Sequence, residues 1–269
     1  MEPDNQSLLP RSTALHSLVI RLAAADRGRL PATLGRAIHA QVMHWLSVKD
    51  SSLASQIHNS QESPISLSGL IGHRRKGNVQ PDDRFYFRIS LLDGGLIYPL
   101  LAGIEAGEAE PITLAGFPFV LCGIDSLPGT HAAAGSSDYT LLAKTPHISG
   151  DITLQFLSPT SFKQKQVTQP FPLPELVFGS LLRRWNTFAP LDLQFSAIEW
   201  QGFVSAYELK TYAFKLEGGA EIGAQGIVRY RFPNVEQARV ATVLAHFAQF
   251  SGVGRKTAMG MGQAKLINS

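Results

Sequence analysis

Residues 84–91 read Arg84-Phe85-Tyr86-Phe87-Arg88-Ile89-Ser90-Leu91. Phe85, Phe87, Ile89 and Leu91 recur at every second position, the period of a strand with one face against a core. Upstream, residues 64–71 form a second strand candidate, joined to the first by the basic turn His73-Arg74-Arg75-Lys76-Gly77-Asn78. Further back, Pro31 opens a helical pattern with Leu34, Ile38, Val42 and Trp45 on one side. Asp50 is placed to cap a second short helix, DSSLASQIH, in which Leu53 and Ile57 lie one turn apart. Residues 14–24, ALHSLVIRLAA, read as a buried strand. Downstream come a short helix around 95–105 and an apolar strand around 112–124. The order is β-α-β-β-α-β, the split βαβ of ferredoxin-like domains.

The second half repeats that order. Residues 128–138, PGTHAAAGSSD, read as a linker by their glycine, alanine and serine content. A strand at 150–157 precedes a helix over 173–187. Strands near 203–216 and 224–232 follow, joined by a turn at Gly218-Gly219. Asn234 and Gln237 have the spacing of a capping pair for a helix carrying Val240, Leu244 and Phe247, and a strand at 262–267 ends the pattern. The expected class is therefore α+β: two tandem ferredoxin-like (RRM-like, βαββαβ) domains, over residues 1–127 and 138–269.

Bulk composition narrows the function. Among 269 residues, 44% are hydrophobic and 17% charged, as in an ordinary folded chain. The net charge of +3 is a mild lean toward polyanions, so any nucleic-acid argument must rest on where the cations sit. The single cysteine, Cys122, can form no internal disulfide and cannot build a thiolate zinc site. Leu18-Val19-Ile20 is interrupted by Arg21, so no signal peptide is expected, and no apolar run approaches membrane-spanning length. A cytoplasmic protein with no membrane partner is the expectation. There is no paired-carboxylate motif and no Gly-x-Ser-x-Gly elbow, so neither a metal nor another cofactor is expected.

The most distinctive local feature is Gly252-Val253-Gly254-Arg255-Lys256-Thr257-Ala258-Met259-Gly260-Met261-Gly262. Four glycines beside two cations suit a backbone that comes close to a phosphate chain. A mononucleotide P-loop is not expected, because Arg255 separates Gly254 from Lys256 and too few residues remain for a strand–loop–helix unit. A dinucleotide fingerprint fails as well, since it opens a βαβ unit. The plain alternative is a turn between a helix and a last strand.

This segment, with Phe250-Ser251 before it, resembles the C-terminal glycine-rich signature of the CRISPR-associated Cas-six endoribonucleases, members of the RAMP superfamily. Leu157-Ser158-Pro159-Thr160-Ser161-Phe162, Leu181-Leu182-Arg183-Arg184-Trp185-Asn186 and Gly226-Ile227-Val228-Arg229-Tyr230 extend the resemblance. It implies cutting of CRISPR repeat RNA in a precursor to give mature crRNA. The RNA's own 2′-hydroxyl is the nucleophile, and the ends are a 2′,3′-cyclic phosphate and a 5′-hydroxyl. Such chemistry needs a base, an acid and a stabiliser for the crowded phosphorane.

Histidine suits the first two tasks. The resemblance points to His58, at the end of the second helix, as a catalytic residue. A helix C-terminus favours its charged form. His39, in the first helix, is the second candidate, and His44 borders the opposite edge of the apolar stripe. The resemblance also implies, in some members, a lysine after the helix. Here Asn59-Ser60-Gln61-Glu62-Ser63-Pro64 supplies none, and Arg74, Arg75 or Lys76 are the substitutes.

For RNA binding the expected contacts are Gly252, Gly254, Arg255, Lys256, Gly260, Gly262, Arg229, Arg231, Arg183, Arg184, Arg74 and Arg75. Arg183 and Arg184 have a second reading as charges complementing a helix C-terminus. The strand 84–88 lacks the glycine pattern of an RNP platform, so bases stacked across the first sheet are not expected. The alternative function is a non-catalytic RNA-binding subunit of a CRISPR effector. Other effector subunits are possible partners, and a monomer or homodimer is expected.

Overall fold

The structure is a computed structural model that describes residues 12–72, 78–146, 151–216 and 219–267; the side chains of His58 and Leu216 are not among what is described. The first half runs β1 (Ala14–Ala24), β2 (Gly28–Arg29), α1 (Gly35–Ser47), α2 (Ser51–Asn59), β3 (Ile65–Leu67), β4 (Ile71–Gly72), β5 (Asn78–Val79) and β6 (Arg84–Leu91). It continues with α3 (Ile97–Ala106), β7 (Ile112–Leu114), β8 (Phe117–Asp125), β9 (Gly135–Asp138) and α4 (Tyr139–Ala143). The second half comprises β10 (Asp151–Thr160), β11 (Phe162–Gln164), β12 (Val167–Gln169) and α5 (Pro174–Phe188). Then come β13 (Phe203–Leu216), β14 (Gly219–Arg231), α6 (Val235–Ser251) and β15 (Ala264–Leu266).

The first sheet has the order β3-β6-β1-β8-β7 and the second β13-β14-β10-β15. Each places the first and third strands of its half at the centre, flanked by the second and fourth, which is the ferredoxin-like arrangement. The alternation in β6 has the expected outcome. Phe85, Phe87, Ile89 and Leu91 are buried in a core with Leu18, Ile20 and Leu22 of β1 and with α1. Trp45 stacks on Phe87 with centroids 6.3 Å apart. Gly103 lets α3 meet α1 closely, since a Cβ there would come within 1.9 Å of the Trp45 carbonyl oxygen. The second core joins β10 and β14 to α5 and α6, and it takes in Leu15, Leu92 and Tyr139 from the first half and the connection.

Helix starts follow their caps. Asp50 accepts from the Ser52 and Leu53 amides, as expected. Asn234 accepts from the Gln237 amide at 3.0 Å. Gln237 does not complete the capping box. Its side chain accepts from the Gln201 amide and donates to the Glu199 carbonyl, tying the segment before β13 to α6.

Three expectations need correction. The segment read as a linker contains β9, whose backbone pairs with β1 from Ala14↔Asp138 to Ser17↔Gly135. Main-chain bonds hold it without a hydrophobic pattern. The strand expected at 64–71 is broken into β3 and β4 at Ser68, where the side chain enters the ladder. Its amide donates to the Arg88 carbonyl at 3.0 Å, and its Oγ accepts from the Arg88 amide at 2.8 Å. The strand expected at 112–124 is a hairpin, β7–β8, turning at Ala115 and Gly116, both at positive φ.

Candidate functional site

The glycine-rich segment lies where the two halves meet. Ser251 to Val253 are buried, as are Thr257 and the stretch from Gly260 to Gln263. All four glycines have positive φ, and each faces a close backbone or side-chain neighbour of the chain itself. A Cβ on Gly254 would come within 2.3 Å of the Ser161 carbonyl oxygen, and one on Gly262 within 2.1 Å of that of Val253. The Gly260 backbone bridges Ser68 of the first half. The glycines therefore serve close internal packing.

At the same junction, Gly35 opens α1 against the turn Thr257–Met259, and a Cβ on it would come within 1.9 Å of the Met259 carbonyl oxygen. His39 follows Gly35 by one turn, so it lies on roughly the same side of α1, and it is half-buried. His44 is exposed. His58 lies in the last turn of α2, and its side chain lies outside the described residues. Arg74 and Arg75 also lie outside the described residues.

Arg255 and Lys256 share Glu221 of β14. Lys256 Nζ is 2.6 Å and Arg255 Nη1 3.3 Å from its carboxylate, which also accepts from the Ser161 hydroxyl. Burial alone would raise the Glu221 carboxyl. The bonds from Lys256 and Ser161, with the charge of Arg255, outweigh it and hold the group below its ordinary value.

Arg184, one of the expected RNA contacts, is only 3% exposed. Its Nη2 donates to the Ser63 carbonyl at 3.1 Å, and Nη1 lies 3.5 Å from Glu62. Burial lowers its pKa to about 10. Arg183 pairs with Glu62 from the exposed side. Both therefore hold the segment that leaves α2. Arg231 makes a two-point contact with Asp151, at 2.6 and 2.8 Å, and that bond holds Asp151 below its ordinary pKa. Arg229 is exposed on the same face of β14.

A buried polar chain crosses the junction as well. Gln263 accepts from Arg88, donates to Ser66 Oγ at 3.0 Å, and through its backbone amide donates to Ser158 Oγ at 2.9 Å. Burial lowers the Arg88 pKa to about 10. Nothing in the sequence singles out Glu62, Glu221 or Gln263. Each is a lone polar residue in an unremarkable stretch, and only the fold shows that it is buried or bonded across segments. Among the described residues no cluster of three or more histidine, cysteine, aspartate or glutamate side chains could hold a metal. No described helix is long and apolar enough to cross a membrane.

Comparison with known proteins matches residues 154–264 to the family model of the CRISPR-associated endoribonuclease Cas6. No curated protein matches in sequence. Among solved structures, a Cas6 product complex is 30% identical with a TM-score of 0.77, covering 95% of this chain and 100% of that one. A histidine-to-alanine mutant of the same relative is 29% identical at a TM-score of 0.75, covering 96% and 100%. A Thermus thermophilus Cas6 is 23% identical at 0.73, covering 95% and 99%, a likeness of fold.

Proposed function

Because the chain belongs to the CRISPR-associated endoribonuclease Cas6 family, we propose that it cuts the repeat RNA of a precursor transcript without a metal and releases mature crRNA. The observation that carries this reading is the junction itself. The glycine-rich segment of the second half is lodged against the first, with Met259 against Gly35 at the start of α1 and Gly260 bridging Ser68, so it meets the half that bears His39 and His58. That relatives were solved as a product complex and as a histidine mutant supports both an RNA ligand and a working histidine.

In the proposed reaction the 2′-oxygen attacks the adjacent phosphorus and the bond to the 5′-oxygen breaks. The products are a 2′,3′-cyclic phosphate and a 5′-hydroxyl. His58 and His39 between them take the 2′-proton and deliver one to the leaving oxygen. Lys256 and Arg255 stabilise the phosphorane charge. Arg229, Arg231 and the exposed edge of Arg183 line the approach of the strand, and Arg74 and Arg75 add phosphate-binding charge. The catalytic histidines belong to residues 1–127 and the glycine-rich segment to 138–269, a division of labour between the halves. The protein acts in the cytoplasm.

The test is incubation with labelled repeat RNA in excess EDTA. We expect cleavage to persist, a cyclic phosphate end to form, and a 2′-deoxy substitution at the scissile nucleotide to block it. His58→Ala should slow cutting by roughly 10²–10⁴-fold. Tight binding without any cleavage would mark a binding subunit instead, and cleavage lost in EDTA and restored by a divalent ion would overturn the metal-free reading.

A further inference from the structure

The face of the first sheet turned away from its core carries a second built site. On β6, Arg84, Tyr86 and Arg88 alternate onto this face, and Arg21 of β1 stands opposite Tyr86. The Arg88 end is covered by the second half through Gln263. The other end opens into a cavity of about 550 Å³ lined by Arg21, Arg84, Tyr86, Cys122 and His131.

Several features shape it. The β1–β8 register shifts between Arg21 and Leu22, which leaves Cys122 as the extra residue of a bulge. Gly123, at φ +148°, gives Arg21 its room, since a Cβ there would lie 2.6 Å from Nη2. Arg21 Nε bonds Asp125 at 3.0 Å, and Arg84 Nη1 donates to the Cys122 sulfur at 2.9 Å. Each guanidinium is thus oriented by one of the five N–H donors of its fork. The His131 ring meets that of Tyr86 at 61° with centroids 4.6 Å apart, and its Nδ1 accepts from the Ala133 amide. The reaction proposed above uses none of these groups.

Two guanidinium groups against one carboxylate leave a net positive site, and the aromatic rings of Tyr86 and His131 stand beside them. That combination suits a phosphate joined to a flat base. The volume falls within the range of small-ligand clefts. We propose that this cleft holds one unpaired ribonucleotide, its phosphate on Arg21 and Arg84 and its base against Tyr86 and His131. The nucleotide is either part of a single strand flanking the bound repeat, in which case the site rests on the RNA reading above, or a free 5′-mononucleotide.

Cys122 is the chain's one cysteine, so a thiol reagent reports on this cleft alone. With the full chain, labelling by a chromogenic disulfide should slow by roughly tenfold when the cleft fills, because thiol exchange depends on access. Repeat RNA with an unpaired flank, repeat RNA trimmed of it, and adenosine monophosphate form the three arms. Protection by the flanked RNA alone assigns a strand, and protection by the mononucleotide assigns a free ligand. Arg84→Gln and Tyr86→Leu should lose the protection ratio while melting like the parent, and the milder Arg21→Lys should retain part of it. No protection in any arm, or protection that survives in the two stronger variants, would overturn the site. Cleavage is scored in the same tubes. Cutting without protection sinks the cleft alone, whereas protection without cutting sinks the reaction alone.

Discussion

Arg183-Arg184 and Arg255-Lys256 look alike in the sequence, two adjacent cations each in the second half. In the folded chain each pair faces a single glutamate, but the surroundings differ. Arg184 is 3% exposed and bonds Glu62 and the Ser63 carbonyl, which belong to the other half. Arg255 and Lys256 keep about a third of their side chains exposed, 36% and 33%, and meet Glu221. A buried guanidinium could turn to a phosphate only by abandoning a carboxylate and a carbonyl with no water to replace it. Arg255 and Lys256 are partly exposed and can meet a second anion in water, while Glu221, only 9% exposed, also keeps its bond from Ser161. One pair is a strut between the halves. The other is positive charge held at the surface of the junction.

The largest effect expected from this contrast is on stability. Arg184→Met should cost about 3 kcal/mol, the low end for breaking a buried pair, because Glu62 keeps 22% of its side chain exposed. In thermal unfolding that is a fall in Tm of roughly 6–12 °C. An unchanged Tm would show that the strut carries nothing. Gly262→Ala comes next, at about 2 kcal/mol, for forcing a side chain onto positive φ against the Val253 carbonyl. Arg255→Ala and Lys256→Ala should each change stability by less than about 1 kcal/mol. They should instead weaken repeat-RNA binding and flatten its salt dependence, by about 0.7–0.9 in slope per lost phosphate contact. If Arg184→Met flattens the slope and Arg255→Ala does not, the two roles are reversed.

The sequence makes the strands of the first half legible through period-two burial, as Phe85, Phe87, Ile89 and Leu91 show. It also marks the caps at Asp50 and Asn234, which are local bonds. β9 is not legible, because Gly135 to Asp138 are held by main-chain pairing to a strand more than a hundred residues away. The glycines of the tail announce a close approach to their own backbone. Which backbone approaches depends on the tertiary fold, and here it is the chain's own, at Ser161, Val253 and Ser68. Arg184 is the sharpest case. Its charge was visible, but its partner Glu62 lies 122 residues earlier and nothing in either stretch announces the pair.

The finest contrast lies in the carboxylates. The Glu221 carboxyl is held below its ordinary value of 4.5, so in the folded chain it stays ionised where the unfolded chain takes up a proton. Its contribution to stability is therefore complete above about pH 4.5 and is lost as pH falls through the depressed folded-state value. Glu221→Gln removes that dependence. Below pH 4.5 the parent should lose more of its unfolding midpoint per pH unit than the variant, a difference that chemical denaturation across an acid series resolves. At neutral pH the same substitution releases Lys256 and Arg255 from their counter-charge, so repeat RNA should bind the variant more tightly. Equal acid sensitivity in the two proteins would mean that Glu221 does not hold these cations. Weaker RNA binding would mean that Glu221 holds them in the posture the phosphate needs, and that the surface pair depends on a fixed partner as much as the buried one does.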